Sequence, residues 1–261
     1  MKEEEVNRCQ IQEWYPRFKS DSIKTMIHEL PESFIKESIK TLGGSVFPKL
    51  NWSAPKDAAW ISSTGNLCCN SFSEVALLLR ASDSLIHDLP PKFFLALHRW
   101  YSSLLPEMEF RCFVRNGILV GISQQEVTGF YPVLVEKKDE LMTTIQGFFI
   151  HKVKGNFESG SYTFDVCVTN DERVKLLDFN PWGAFTLPLF ITWEELEDKL
   201  KEEENRLEFR IVESQCGVRP GLKTAVPYDY LDSSPGSGWD EFLRKADEQS
   251  AQQVRSTRAG A

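Results

Sequence analysis

Apolar and polar residues alternate along two stretches of the chain that flank a short polar segment. The stretches are residues 162–169 and 174–180, and the segment between them reads Asn-Asp-Glu-Arg. Alternation with a period of two is typical of β-strands that bury one face, and a short polar connection favours a hairpin. If the last residue of the first stretch pairs with the first residue of the second, Asp165 lies directly opposite Asp178.

This register predicts a cluster of oxygen ligands. Asn180 lies two residues beyond Asp178 and therefore shares its face of the sheet. Like charges that are directly opposed, about 5 Å apart at Cβ, destabilise a sheet, and a divalent cation would remove that repulsion. Two carboxylates and an amide oxygen suit a hard cation such as Mg²⁺. Two alternatives stay open: one aspartate is protonated or paired with a lysine, or a longer loop places Asp165 and Asp178 on opposite faces.

A second hairpin is predicted at Asn116-Gly117, a dipeptide that favours a tight turn between strands. With Arg115 paired to Ile118, Glu109 faces Gln124. Arg111 lies two residues from Glu109, so the two side chains share one face.

The other segments predict further strands and several helices. Residues 70–83 have helical periodicity with Ser71 or Ser73 as N-cap, and Thr192 begins a capping box with Glu195. Strands and helices are interleaved while the hairpins are antiparallel, which indicates an α+β chain. Further predicted helices cover residues 33–41, 133–151 and about 192–204, and further strands cover 93–100 and 207–213.

Composition narrows the possible partners and the compartment. The formal net charge of −8 argues against nucleic acid or an anionic membrane as the main partner. No apolar run is long enough to span a membrane, and the acidic start is unlike a signal peptide. The six cysteines form no C-x-x-C pair, which disfavours zinc and is typical of a reducing compartment. We therefore expect a cytoplasmic protein, either cytosolic or shared between nucleus and cytoplasm.

Cationic residues together with a carboxylate-held metal are suited to a nucleoside triphosphate. No Walker A or G-x-G-x-x-G motif is present, so a P-loop or Rossmann site is excluded. Simpler interpretations stay open for single residues: Lys49 as a surface lysine, Arg111 paired with Glu109, and His98 as a structural histidine. The candidate cations are Lys49, Lys56, Arg99 and Arg111.

Four strings of sequence resemble the cell division cycle protein 123 family, and the chain looks like a plant-type member. They cover residues 43–57, 109–114, 121–126 and 164–183, and the resemblance extends from Trp14 to about Asp240. It implies an ATP-grasp-like fold, in which two lobes with antiparallel and mixed sheets hold a nucleotide cleft between them.

That resemblance also implies a domain organisation. One ATP-grasp-like domain covers residues 1–232, with an N-terminal lobe at about 1–97 and a C-terminal lobe at about 98–232. Composition predicts a linker, a short helix and a disordered tail in residues 233–261.

The resemblance further implies a function. Family members are cytoplasmic assembly chaperones for eukaryotic translation initiation factor 2. They bind its gamma subunit and promote joining with the alpha subunit, which supports translation initiation and cell-cycle progression. The implied cofactors are ATP and Mg²⁺, with no catalytic residue, and a monomer is expected. Two alternatives stay open: a nucleotide-free interaction protein, and an ATP-grasp ligase.

Residue by residue, the resemblance assigns a nucleotide site. Lys49 would contact phosphate, the segment at His98 would lie near the adenine, and Glu109 and Arg111 would line the cleft. The implied metal ligands are Asp165, Asp178 and Asn180. The implied nucleotide-binding residues are Lys49, Asn51, Ala54, Lys56, Asp57, His98, Arg99, Trp100, Glu109, Arg111, Asp165, Asp178 and Asn180.

The chain departs from the family pattern at several positions. Gln125 stands where the family has an arginine, and His98 stands where a basic residue is usual. The segments at 20–37 and 88–92 are shorter than in the family. These departures leave open whether the chain binds ATP.

Overall fold

The computed structural model describes residues 3–28, 32–50, 53–83, 85, 94–183, 186–198 and 207–214. Its helices are α1 (Glu3–Arg8), α2 (Ile11–Phe18), α3 (Glu32–Thr41), α4 (Phe72–Ala81), α5 (Pro132–Glu136), α6 (Lys138–Phe148) and α7 (Trp193–Asp198). Its strands are β1 (Thr25–His28), β2 (Val46–Leu50), β3 (Leu95–Arg99), β4 (Glu109–Arg115), β5 (Ile118–Gln124), β6 (Tyr162–Val168), β7 (Val174–Pro181) and β8 (Glu208–Arg210).

The described strands form two sheets. The small sheet has three antiparallel strands in the order β1-β3-β2. The large sheet has five strands in the order β7-β6-β4-β5-β8, and it is mixed because β8 runs parallel to β5. The prediction of an α+β fold with antiparallel and mixed sheets is confirmed.

The small sheet covers one of its faces with α3 and α4. Leu95 and Leu97 of β3 are fully buried in this core, where they pack with Ile35 and Leu78 of the two helices. Helix α4 begins where the sequence indicates, because the hydroxyl of Ser71 accepts a hydrogen bond of 3.2 Å from the backbone N–H of Glu74. The opposite face of β2 and β3 is not covered by α3 and α4, and it contacts other parts of the protein.

The hairpin of β4 and β5 has the predicted turn but a different register further along. Asn116 and Gly117 have φ values of 50° and 72°, and Arg115 pairs with Ile118. Beyond the turn, an extra residue in β5 forms a β-bulge, so Gln124 pairs with Phe110. The prediction that Glu109 faces Gln124 is therefore wrong by one residue.

The hairpin of β6 and β7 places Asp165 directly opposite Asp178, as predicted. The connecting loop is longer than the sequence analysis assumes, because Val168 is the residue that pairs with Val174. This loop alone would shift the register by one, but Leu177 is an extra residue in β7 and shifts it back. The predicted pairing is correct at the two aspartates because a bulge compensates for the loop.

The apolar face of the large sheet carries the main core. Phe110, Phe164 and Phe179 are fully buried on it, and Trp14 of α2 packs edge-on to Phe179 with ring centroids 5.3 Å apart. Helix α2 thus joins the core of the large sheet, although the predicted N-terminal lobe begins at residue 1. The lobe boundaries stay a prediction.

Two helix predictions differ in detail. The helix predicted at 133–151 is divided into α5, α6 and a π-helical turn at Phe149–Val153. The capping box at α7 is present, with a bond of 2.7 Å from the N–H of Thr192 to the Glu195 carboxylate. The later part of that predicted helix and the predicted linker and tail at 233–261 lie outside the described residues. No described helix is long and apolar enough to cross a membrane.

Candidate functional site

The polar face of the large sheet carries a row of charged side chains on three neighbouring strands. Arg111 of β4 lies opposite Asp165 of β6, and Asp165 lies opposite Asp178 of β7. Alternation along each strand brings these side chains to one face, away from the phenylalanines of the core. All three are buried, so their charges are poorly screened by water.

Arg111 binds Asp165 in a bidentate arrangement. Its Nε and Nη2 donate hydrogen bonds of 2.8 Å to the two carboxylate oxygens. The remaining nitrogen, Nη1, donates to the backbone carbonyl of Leu187 at 2.9 Å. Burial acts to raise the pKa of Asp165, but the charge and hydrogen bonds of Arg111 outweigh it, so the pKa lies below its usual value. Asp165 is therefore a carboxylate held in one orientation.

Lys49 of β2 forms the second ion pair, with Oδ2 of Asp178. Only 6% of the lysine side chain and 12% of the aspartate side chain are exposed. Burial, together with the nearby charge of Asp165, raises the pKa of Asp178 to about 6, and Lys49 opposes that rise. The other oxygen, Oδ1, is buried and has no hydrogen-bond partner among the described residues. A buried acceptor without a partner is unfavourable, and it marks a position where a ligand could be bound.

Two amide side chains complete the surroundings of Asp165. Gln125 donates to Oδ2 from Nε2 at 3.0 Å, and Asn180 donates to the same oxygen from Nδ2 at 3.4 Å. Asn180 therefore shares the face of the two aspartates, as the sequence predicts. With its nitrogen directed at Asp165, the carbonyl oxygen of the Asn180 amide is directed elsewhere.

Glu109 lies two residues from Arg111 on the same strand. Burial raises the pKa of its carboxyl to about 7, and the nearby ammonium of Lys56 opposes the rise. Lys56 itself is exposed, and Ala54 is half-buried in the turn that precedes it. Asp57 is turned toward α4, since its Oδ1 accepts a bond of 2.6 Å from the Ser82 hydroxyl.

The segment that the resemblance places near the adenine makes packing contacts within the protein. His98 is fully buried on β3, where its ring stacks on Phe47 with centroids 4.6 Å apart. Its Nδ1 lies 2.7 Å from the hydroxyl of Thr25. Burial, helped by the charge of Lys49, holds the pKa of His98 well below its usual value, so the ring is neutral. Arg99 instead stacks on Tyr101, and Trp100 packs edge-on against Phe47.

The structure thus brings part of the predicted site together. Asn51 lies outside the described residues. The contact from Arg111 to Leu187 could not be predicted, because a backbone carbonyl leaves no signal in the sequence. The residues that converge on the two ion pairs are Lys49, Glu109, Arg111, Gln125, Asp165, Asp178 and Asn180.

One alternative from the sequence, an aspartate paired with a lysine, is correct for Asp178, which pairs with Lys49. The unpartnered Oδ1 of Asp178 is a hard oxygen ligand suited to a cation, whereas the amide of Asn180 would have to turn its oxygen toward the site to act as a second one. Within the described part of the chain, no three His, Cys, Asp or Glu side chains converge as a metal site. A cation here would therefore depend on two carboxylates and an amide.

Fold and site define an α+β protein with two sheets and a pair of buried, ion-paired aspartates on the larger one. The model of the D123 family matches residues 34–234, and the chain belongs to this family. The resemblance to the cell division cycle protein 123 family is confirmed.

Relatives and a solved structure agree with this membership. A Xenopus tropicalis protein named "Translation initiation factor eIF2 assembly protein" is 32% identical, over 90% of this chain and 93% of that protein. A Dictyostelium discoideum protein of the same name is 37% identical, over 82% of this chain and 65% of that protein. The structure of C-terminally truncated Cdc123 from Schizosaccharomyces pombe has a TM-score of 0.74 at 30% identity, covering 81% of this chain and 98% of that chain.

The comparison with the frog protein also bears on length. Its aligned stretch of 314 residues is longer than this chain of 261 residues, so the frog protein has segments without a counterpart here.

Proposed function

We propose that this protein is an assembly chaperone for translation initiation factor eIF2. The names of the two relatives, both eIF2 assembly proteins, support this role. In finer detail, we propose that it binds the gamma subunit, promotes its joining with the alpha subunit, and acts as a monomer in the cytoplasm. It would thereby support translation initiation and cell-cycle progression.

We further propose that the polar face of the large sheet binds ATP together with Mg²⁺, in an ATP-grasp-like cleft beside the small sheet. The observation that supports this most is the buried Oδ1 of Asp178, an acceptor without a described partner next to a lysine and an arginine. Nucleotide phosphates carry several negative charges, and the ammonium of Lys49 and the guanidinium of Arg111 are suited to bind them.

The roles within the site follow from the chemistry of each group. Asp165, Asp178 and Asn180 would hold the metal through oxygen atoms, and Lys49 and Arg111 would contact phosphate. When bound, the divalent cation supplies charge neutralisation between phosphate oxygens and the carboxylates. No catalytic residue is proposed, since a bound nucleotide can stabilise the folded form by linkage alone.

Calorimetric titration of the full chain with Mg-ATP tests the nucleotide part of this proposal. We expect saturable binding by the wild type and a loss of at least about tenfold in affinity for Asp178→Asn. Asp171→Asn is the matched control, because Asp171 is an exposed carboxylate in the loop of the same hairpin. No binding by the wild type, or equal affinity in Asp178→Asn, would count against the nucleotide site.

Reconstitution of purified gamma and alpha subunits tests the chaperone part. We expect this protein to co-purify with the gamma subunit and to increase the yield of the gamma–alpha complex. If neither effect occurs, the assembly role is wrong, whatever the calorimetry gives.

A nucleotide-free interaction protein is the second candidate, and one observation favours it. Both aspartates already have cationic partners within the protein, so their charges are balanced without metal. Capture of the gamma subunit that is equally efficient with and without Mg-ATP, together with no calorimetric signal, would support this candidate over the first.

A further inference from the structure

We infer that Arg115 and Trp182 form a docking site for an acidic peptide, in which a carboxylate of the peptide binds the guanidinium and a neighbouring apolar side chain contacts Ile118. The site lies on the same face of the large sheet as Arg111 but is separate from it. Arg115 is four residues beyond Arg111 on β4, which corresponds to about 13 Å along a strand. The inference depends neither on the proposed nucleotide binding nor on the proposed assembly role.

The first observation is that three side chains from three strands meet at one end of this face. Arg115 shares its face of β4 with Arg111, because the two are an even number of residues apart. Ile118 of β5 is the cross-strand partner of Arg115, so its side chain lies on the same face. Trp182 directly follows β7, and the guanidinium carbon of Arg115 lies 5.1 Å from the centroid of its ring.

The second observation is that Trp182 is held in place by other aromatic residues. Its ring packs against Trp193 of α7 with centroids 4.9 Å apart, and Trp193 packs edge-on against Phe113 at 5.9 Å. Both tryptophans pack against a small buried core of Phe113, Val120, Ile191 and Leu196. A cation above the face of a tryptophan is attracted to the ring, so Trp182 holds the guanidinium of Arg115 in position.

The third observation concerns hydrogen-bond donors. Nε of Arg115 and Nε1 of Trp182 are both buried, and neither has a hydrogen-bond partner among the described residues. Both atoms can only donate, so each needs an acceptor. A buried donor without a partner is unfavourable, and two of them in one contact indicate a position where an acceptor binds.

Arg111, on the same strand and face, shows which acceptor fits an arginine here. Its Nε and Nη2 donate to the two carboxylate oxygens of Asp165. Within the part of the chain that the structure describes, Arg115 has no such ion pair and contacts only the tryptophan ring through its charge. A water molecule could accept a hydrogen bond from Arg115 but would leave its charge unbalanced, whereas a carboxylate balances the charge and accepts from two donors.

The surroundings of this pair favour a peptide over a free small anion. Arg115 and Trp182 are each half-buried, so a ligand can approach them from solvent. Ile118 beside them is 40% exposed, although it is a large apolar side chain. Tryptophan and arginine are enriched among the residues that contribute most to protein–protein binding. A segment with an acidic residue next to an aliphatic one would match the charge, the donors and the apolar surface together.

Nuclear magnetic resonance of the indole N–H groups tests this inference on the isotope-labelled full chain. The probe is the peptide acetyl-Leu-Asp-Leu-amide, and the Trp182 resonance is identified by its absence in Trp182→Phe. We expect this resonance to shift saturably, with a dissociation constant of about 1 mM. The same peptide with Asn in place of Asp should bind at least about tenfold more weakly, because it cannot balance the charge of Arg115.

Variants separate the parts of the site. Arg115→Gln should weaken binding of the Asp peptide by at least about tenfold, and Ile118→Ser by about threefold. Arg173→Gln is the matched control, since Arg173 is an exposed arginine in the loop of the β6–β7 hairpin, and it should leave peptide binding unchanged. If Trp182→Phe does not fold by circular dichroism, the backbone amide of Ile118 reports binding instead.

The inference is overturned if no resonance at the site shifts, if the Asp and Asn peptides bind equally, or if Arg115→Gln binds as the wild type does. Acetate that shifts the Trp182 resonance at the same concentrations as the peptide would show a site for small anions, and peptide docking is then wrong. None of these results changes the outcome of calorimetry with Mg-ATP or of the reconstitution of gamma and alpha subunits. Failure of the docking site therefore leaves the proposed function standing.

Discussion

Lys49 of β2 and Asp178 of β7 form a buried ion pair that connects the small sheet with the large one. A buried pair responds differently from an exposed one when a partner is removed. The group left behind keeps its desolvation penalty and loses the compensating charge. The stability of this protein should therefore depend on these two residues in a way that changes with pH.

Lys49→Met should lower the free energy of unfolding by about 3–5 kcal/mol near pH 8 and by clearly less near pH 5. The pKa of Asp178 is already raised to about 6 from an ordinary 3.8, and removal of the ammonium raises it further. A carboxyl whose pKa is raised in the folded state stabilises the fold while it is protonated. This contribution to the free energy of unfolding is lost as the pH rises through the folded-state pKa. Urea unfolding curves at the two pH values measure the difference.

A double variant serves as the control for this prediction. Adding Asp178→Asn to Lys49→Met removes the unpaired charge and should recover part of the stability at pH 8. An equal loss for the single variant at both pH values would show that Asp178 does not titrate in the folded protein as described.

Arg111→Lys should destabilise the fold by about 2 kcal/mol, because an ammonium cannot reproduce the bidentate contact with Asp165 and the bond to Leu187. Arg173→Lys is the matched control. Arg173 also contacts an aspartate, Asp171, but the two side chains are 70% and 56% exposed, so the change should cost less than about 1 kcal/mol. Similar losses for the two variants in denaturant unfolding would contradict the importance of burial at Arg111.

His98 should make the protein less stable below about pH 6.5. Its folded-state pKa lies well below the ordinary 6.5 because the ring is buried, so on acidification the unfolded chain binds a proton that the folded chain does not. His98→Gln should reduce the loss of stability between pH 7 and pH 5 by about 1–2 kcal/mol. His151→Gln, the same change at an exposed histidine, is the matched control. A pH profile of His98→Gln identical to that of the wild type would exclude a buried neutral histidine.

Gly121→Ala should cost about 1–3 kcal/mol of folding free energy. A Cβ at Gly121 would lie 2.8 Å from Cδ1 of Ile191 and 3.3 Å from Cδ2 of Leu196, both fully buried side chains. Gly147→Ala is the opposite case, since nothing lies within 4 Å of its Cβ position inside α6. It should stabilise the protein by up to about 1 kcal/mol. Thermal unfolding of the two variants should shift in opposite directions, and a common direction would contradict the packing described for Gly121.

Local patterns in the sequence were sufficient for several elements. The N-cap at Ser71, the turn at Asn116-Gly117 and the capping box at Thr192 and Glu195 all occur where they are predicted. Each depends on contacts between residues a few positions apart, so the residue types themselves carry the information.

Strand register was only partly predictable, and the two hairpins show why. Bulges at Leu177 and in β5 leave no mark in the alternation of apolar residues near the turn. At Asp165 and Asp178 the bulge compensates for a misjudged loop, whereas at Glu109 it displaces the predicted partner by one. The predicted pairing of Asp165 with Asp178 is therefore correct because two errors cancel, the loop length and the missing bulge.

The sequence by itself determined the class of the fold and its family, because alternation and turn chemistry are local properties. The position of Asp165 opposite Asp178 also depended on the bulge at Leu177. Only the tertiary structure decided which cations those acids contact. Lys49 reaches Asp178 from a different sheet, and Arg111 reaches Asp165 from the neighbouring hairpin. Which cationic side chain contacts which aspartate depends on how the two sheets pack and on which groups that packing buries. The spacing of residues along the chain encodes neither the packing nor the burial.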